Sequence, residues 1–243
     1  MILKSRRARK WTIVVACVLV VVLGAAFTLF EVSKSRTFQF FGTLVNRVDT
    51  TEKVVALTFD DGPDPAGAHA ILDTLRARDV PATFFLIGRD IEAHPELAHD
   101  IAAAGHELGN HSFSHERMIG VTPGWVAQEV ESTDALIRTA GYTGEILFRP
   151  PNGKKLFALP HYLASHHRTT ITWDAEPDSD GTPDTATVER TTLDQVRPGS
   201  IVLLHAMYAS REQTRQAIGP IVDQLKQRGY RFVTVAQLLA MRH

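Results

Sequence analysis

The sequence predicts an α/β domain built on a parallel sheet and preceded by an N-terminal membrane-crossing helix. Seven short β-rich runs recur between residue 53 and the C-terminus, with amphipathic stretches between them. Polar residues gather at the C-terminal ends of those runs, the edge of a parallel sheet where loops converge. Ahead of them, the twenty residues from Trp11 to Phe30 carry no charge and directly follow a basic cluster.

Residues 1–10 read as a cytoplasmic tail, because Lys4, Arg6, Arg7, Arg9 and Lys10 flank the apolar run and basic flanks stay on the cytoplasmic side. Residues 11–30 (WTIVVACVLVVVLGAAFTLF) read as the membrane anchor, long enough as a helix to cross a hydrocarbon core of ~30 Å. A cleaved signal peptide is the competing reading. Gly24, Ala25 and Ala26 offer small residues for cleavage, but the run exceeds the usual ~7–15 apolar residues. Val14-Val15-Ala16-Cys17 has the form of a lipoprotein box, yet thirteen apolar residues follow the cysteine. Residues 31–50 read as a stalk, with Phe38, Phe40 and Phe41 packing part of it on the domain, and 51–243 as one folded domain.

Within that domain VVALTF (54–59) is a buried strand, and Asp64-Pro65 caps a helix through Leu72 and Leu75. ATFFLIG (82–88) is the second strand; His94-Pro95 opens a helix stopped by Gly105, and HELGN gives the third strand. Thr122-Pro123 caps a helix with Val126, Val130 and Ile137 on one face, and ILFR (146–149) follows as a strand. RTTITW (168–173), SIVLLH (200–205) and RFVTV (231–235) complete the seven, with Ser210 and Gln213 as a capping box before the helix closed by Gly229. Periodicity leaves two architectures open, a doubly wound sheet and an incomplete (β/α) barrel.

Composition narrows the function. The chain has 243 residues, 44% hydrophobic and 22% charged, which excludes disorder and coiled coil. Its net charge is −1, and the five basic residues of the tail leave the remainder at −6, which argues against nucleic acid as a partner. A single cysteine, Cys17, excludes an intrachain disulfide.

Asp60 and Asp61 follow the first strand, His111 and His115 the third, Arg149 ends the fourth, Asp174 follows the fifth and His205 ends the sixth. Singly, an Asp-Asp-Gly turn or a His-x-x-x-His pair is ordinary. Together, two imidazoles and a carboxylate make the three-ligand set of a catalytic zinc site with one position open. A second carboxylate beside it can take a proton from water.

Four ordered stretches carry a resemblance: Thr58-Phe59-Asp60-Asp61-Gly62-Pro63, His111-Ser112-Phe113-Ser114-His115, Arg149-Pro150-Pro151-Asn152-Gly153 and Leu203-Leu204-His205. They are similar to four of the five signature motifs of the polysaccharide deacetylases, carbohydrate esterase family 4. The resemblance covers roughly residues 50–240 and implies the family's distorted (β/α)7 barrel. It implies a divalent metal, usually zinc, on Asp61, His111 and His115, with Asp60 as general base. Arg149 would orient Asp60 through a forked pair of hydrogen bonds. His205 would protonate the leaving amine, the Asn152 N–H would hold the oxyanion, and Leu203 would line the acetyl pocket.

The fifth motif departs from the family pattern: Trp173-Asp174-Ala175-Glu176-Pro177-Asp178-Ser179-Asp180 has no Trp after its acids. The carboxylate that tunes His205 is then Asp178 or, second, Asp174. Trp173 reads as core or pocket wall. His161, His166 and His167 read as a solvated helix end, and Lys154 and Lys155 as a solvated face or a contact to an anionic polymer. The resulting expectation is an anchored, outward-facing deacetylase acting on an acetylated amino-sugar polymer, peptidoglycan or another envelope glycan. The rivals are a metal amidase or esterase with a smaller substrate, favoured if the altered loop closes the groove, and a catalytically inactive glycan-binding domain.

Overall fold

The computed structural model describes residues 2–179 and 181–242. Helix α1 (Ile2–Lys34) takes up the whole uncharged run, and its apolar stretch has none of its length buried against the domain. By length and composition it is able to cross a membrane. β1 (Leu44–Val45) follows inside the segment read as a stalk.

The central strand is β2 (Val54–Asp60), buried along its length. Successive strand residues face opposite sides, so Val55, Leu57 and Phe59 pack on helices while Val54 and Ala56 face the barrel interior. α2 (Ala68–Arg76) starts later than the Asp64-Pro65 pair suggests. Asp64 instead closes a turn, its carboxylate accepting from the Ala66 N–H and its carbonyl from those of Gly67 and Ala68. β3 (Thr83–Leu86) ends early because Gly88 already opens α3 (Gly88–Ala93). α4 (Pro95–Ala103) keeps its proline in the first turn, β4 (Glu107–Asn110) follows, and α5 (Pro123–Thr139) is capped by the Thr122 hydroxyl, which accepts from the Trp125 N–H.

The second half contains α6 (Ala158–Ser165), β5 (Thr170–Ile171), α7 (Thr185–Gln195) and β6 (Ser200–His205). It ends with α8 (Glu212–Gln227), β7 (Arg231–Val233) and α9 (Val235–Leu239). Three expectations are corrected here. Residues 146–149 form no strand, only bridges from Phe148 to Asn110 and to Thr170, because Pro150 ends the ladder at once. The fifth strand shrinks to two residues. Ser210 lies inside a 3₁₀ turn and caps nothing, since Gln213 is engaged by Thr185; the capping box forms instead at α9, between Thr234 and Gln237.

All strand pairs are parallel, in the order β4-β3-β2-β6, with β7 beside the first half of β2 and β1 beside β5. Isolated bridges close the ring: Asn110 to Phe148, Phe148 to Thr170, and Ala175 to Val202 of β6. The result is a distorted barrel whose weak side is the run from Phe148 to Ala175. Residues 31–50 pack on the domain through β1, which pairs with β5, and through Val45 and Val48, buried in the barrel interior, whereas Phe38, Phe40 and Phe41, expected to make that contact, stay 40–50% exposed. Gly199 makes room for that segment: at φ +78, a Cβ there would lie 1.8 Å from the Val48 carbonyl oxygen.

Candidate active site

Strand alternation sends one set of side chains into the barrel mouth. In β2 the interior parity of Val54 and Ala56 continues to Thr58 and Asp60; in β6 that of Ile201 and Leu203 continues to His205. Leu147 and Trp173 face the same interior, which places Arg149 there as well. Just beyond the strands, Asp61, Ser112, His115 and Asn152 adopt left-handed φ values (75°, 65°, 61° and 54°) that turn the loops sharply back over the mouth. The cleft so formed encloses about 390 Å³, and its walls include Asp60, Asp61, His111, His115, Trp173 and His205.

Asp61, His111 and His115 present ligand atoms within 4.8 Å of one another, the one such cluster among the described residues. His115 Nε2 lies 3.3 Å and His111 Nε2 3.9 Å from Asp61 Oδ1. Ligands ~2.0–2.1 Å from an ion at tetrahedral angles sit roughly 3.3 Å apart. The Asp61 Oδ1 atom is buried and has no hydrogen-bond partner among the described residues, and a cation would satisfy it. His111 Nδ1 lies 2.7 Å from the Arg149 carbonyl oxygen; donating there fixes the tautomer with the Nε2 lone pair toward Asp61. Burial, with His115 nearby, pushes His111 down to about 3 against the pull of Asp61, so its imidazole is neutral and able to ligate. The residues fit a divalent metal.

Asp60 stands behind this set, 2% exposed, with Oδ2 3.6 Å from His111 Nε2. Burial raises its carboxyl above the ordinary range, and Arg149 opposes that rise. Arg149 is fully buried, but its expected fork on Asp60 is not what forms. Nη1 alone reaches Asp60 Oδ1, at 2.6 Å, and also donates to Thr58 Oγ1 at 2.8 Å, while Nη2 donates to the Thr172 carbonyl at 3.2 Å. The Phe85 ring lies 4.1 Å and the Trp173 ring 5.5 Å from the guanidinium, whose donors are spread between β2 and the residue after β5, so Oδ2 of Asp60 stays free.

On the adjacent strand β6, in register with Asp60, His205 Nδ1 lies 3.1 Å from Asp178 Oδ1, and the His205 N–H donates to Asp178 Oδ2 at 2.8 Å. Asp178 is fully buried and takes a further bond from the Thr214 hydroxyl. Burial lowers the His205 pKa, but Asp178, then Asp60 and Asp61, outweigh it and hold the imidazolium at about 9. Asp174 is turned away from His205: its carboxylate takes bonds from Ser200, Arg197 and the Ile201 N–H. Asp180 lies outside the described residues. Leu203 and Trp173 are nearly buried walls of the cleft, and Trp173 supplies the aromatic surface that the altered loop lacks. The loop also adds Glu176 and Ser179 to the rim, yet His115, Asn152 and His205 keep contact with solvent, so it does not close the groove.

Sequence reasoning missed Glu129. This carboxylate, 6% exposed, accepts from the Phe113 N–H, the Ser114 N–H and the Ser114 hydroxyl, and so holds the loop between His111 and His115. Its signal was present: an acid on the buried face of α5 beside Val126, Val130 and Ile137. Replacing it with Ala should cost about 2 kcal/mol, a drop of roughly 4–8 °C in Tm, since two N–H groups lose their acceptor. Thermal denaturation followed by metal titration checks this; unchanged Tm and affinity would remove Glu129 from the site's scaffold. Lys155, expected on a solvated face or against an anionic polymer, is instead buried with its ammonium on the Ser35 carbonyl oxygen, whereas His161, His166 and His167 are exposed.

A wider depression of about 560 Å³ beside α2 lies at the opposite end of the strands, away from these groups. Residues 47–169 match the polysaccharide deacetylase family. A peptidoglycan-N-acetylglucosamine deacetylase of Bacillus cereus is 34% identical over 205 residues, 83% of this chain and 95% of its own. A chitooligosaccharide deacetylase of a Bradyrhizobium species is 33% identical over 76% of this chain and 90% of its own. The crystal structure of the peptidoglycan N-acetylglucosamine deacetylase Bc1960 superposes with a TM-score of 0.75 at 31% identity, over 79% of this chain and 91% of that one. With the strand-end motifs assembled in one barrel mouth, the chain belongs to the polysaccharide deacetylase family, carbohydrate esterase family 4.

Proposed function

We propose that this protein removes N-acetyl groups from peptidoglycan, using zinc held by Asp61, His111 and His115. One observation carries the reading: a buried acid–arginine pair (Asp60–Arg149) and an acid–histidine pair (Asp178–His205), set on neighbouring strands, line one open cleft together with that ligand set. A binding module has no use for two such pairs beside one ligand set. The acetylated amino-sugar polymer named for the relatives supports the substrate class, and the open rim suits a chain of sugars better than a small amide.

The division of labour follows from the geometry. Bound to the three ligands, a divalent cation supplies Lewis acidity that makes water nucleophilic near neutral pH and draws charge from the acetyl carbonyl. Asp60, with Oδ1 held by Arg149, keeps Oδ2 free to accept a proton from the attacking water. The Asn152 N–H donates to the oxyanion that develops on the carbonyl. Leu203 and Trp173 enclose the methyl group. His205, charged and braced by Asp178, donates its Nε2 proton to the departing amine. That proton transfer completes breakage of the C–N bond and leaves acetate and a free amino sugar.

Parallel assays of acetate release from peptidoglycan, chitooligosaccharides and acetylxylan test this. Release from peptidoglycan, abolished by a chelator, is the expected result; release from acetylxylan alone, or from none, would contradict it. The domain faces outward on an uncleaved single-pass anchor, residues 11–30, supported by the basic residues ahead of the run. In the native host the protein should stay in the membrane through carbonate extraction and keep its original N-terminus. A soluble mature form beginning near Phe27 would make the segment a signal peptide.

A further inference from the structure

The end of the membrane helix is built into the rim of the cleft. The Lys155 N–H donates to the Ser33 carbonyl at 2.9 Å, and the Thr172 hydroxyl donates to the Arg36 carbonyl at 2.7 Å. The Arg36 guanidinium lies 5.3 Å from the Trp173 ring centre and pairs with Glu176 at 2.7 Å, so it touches two residues of the cleft wall. Lys154 also lines the cleft, and its ammonium sits 5.2 Å from the ring centre of Phe30, the last residue of the apolar run. One residue thus spans from the site to the point where the helix leaves the hydrocarbon.

Beside this junction lies an aromatic patch that the domain does not cover. Phe38, Phe40, Phe41 and Phe157 are 40–50% exposed, and Phe40 stacks on Phe157 with ring centres 4.9 Å apart. Between Phe41 and Phe157 runs a mainly apolar groove of about 380 Å³, lined also by Val121, Pro123 and His161. Lys34 and Lys154 flank Phe30, the pairing of aromatic and basic groups that suits a headgroup layer. Phe38 follows the end of α1 by four residues and shares a depression with Val32 and Lys34, so the patch adjoins the helix that enters the bilayer, and that adjacency names its occupant.

We infer that the aromatic patch docks on the bilayer that holds α1. The cleft mouth then lies against the membrane surface, and the glycan it deacetylates is one carried there on a lipid. This rests on the deacetylase and anchor readings above. It goes beyond them, because an anchor on a free stalk would let the domain range outward, whereas here residues 33–36 are fixed into the site wall.

Full-length protein in vesicles of phosphatidylethanolamine and phosphatidylglycerol provides the test. Fluorophores are placed one at a time, in a Cys17→Ser background, through Val20→Cys, Phe40→Cys, Phe157→Cys and Gln227→Cys; a lipid spin-labelled near its headgroup is the quencher for 40, 157 and 227, and one spin-labelled at the end of its acyl chain is the quencher for 20, which sits mid-span. Quenching at 40 and 157 with none at 227, on the far end of α8, is the expected result. Quenching at 20 without quenching at 40 and 157 overturns the docking while the anchor stands; a patch covered by a second copy of the chain would give that pattern. No quenching at 20 overturns the anchor and the docking with it. In the same vesicles, Phe40→Ser/Phe157→Ser should lower kcat/KM roughly tenfold on chitotetraose carried by a dialkyl lipid, and leave free chitotetraose unchanged. Equal losses on both would place the patch's effect in the site itself and overturn the docking.

Discussion

Asp60→Asn should retain metal and lose turnover by roughly 10²-fold or more, whereas Asp61→Ala and His111→Ala should lose metal and activity together. The split follows from position. Asp61 Oδ1 is buried near two imidazoles with no hydrogen-bond partner among the described residues, while Asp60 has one oxygen engaged by Arg149 and the other free toward the cleft. Asn is the substitution to use, because its amide oxygen keeps the Arg149 contact. Ala would leave a fully buried guanidinium unpaired at a cost of about 3–5 kcal/mol, and folding would confound the reading. Elemental analysis beside acetate release decides the matter. An Asp60→Asn protein purified without metal would falsify the division of roles.

Much of this site was legible because its residues end strands. Alternation in β2 and β6 aims Asp60 and His205 inward, and the motifs around them are contiguous in sequence. What escaped depends on contacts between distant segments. The spread of Arg149 over Thr58, Asp60 and Thr172 needs three segments distant in sequence side by side, and no local pattern encodes it. The runs 146–149, which forms no strand, and 168–173, which keeps two strand residues, look stronger in sequence than they are, since buried apolar runs read alike whether or not a ladder forms. β1, only two residues long, has too few positions for any alternation to register, so residues 31–50 look like a linker. The choice between an open sheet and a barrel comes from the resemblance, and the bridges that close the ring are single residues.

Asp178→Asn should move the alkaline limb of the kcat/KM profile to lower pH by about one to two units, with metal binding unchanged. In the proposed mechanism His205 donates a proton as the amine departs, and its pKa is held at about 9 against an ordinary 6.5. Burial works against the charged ring, and the hydrogen bond and negative charge of Asp178 do most to overcome it. Removing that charge lowers the pKa, so the acid form is lost at a lower pH. The pairing also stabilises the fold, fully below about pH 6.5 and progressively less as pH rises through about 9. Asp174→Asn should leave the limb where it is, because its carboxylate serves Ser200, Arg197 and the Ile201 N–H. An unmoved limb in Asp178→Asn would show that His205 is tuned from elsewhere.

The most direct measurement is a zinc titration of the chelator-stripped, full-length enzyme, with acetate release from peptidoglycan read at each point. Activity should be absent from the stripped protein and rise in proportion to zinc until one ion is bound per chain. The same titration on His111→Ala should restore nothing. Acetate released at full rate by the stripped protein, or restored in His111→Ala, would contradict the assignment of Asp61, His111 and His115 as the metal centre of this deacetylase.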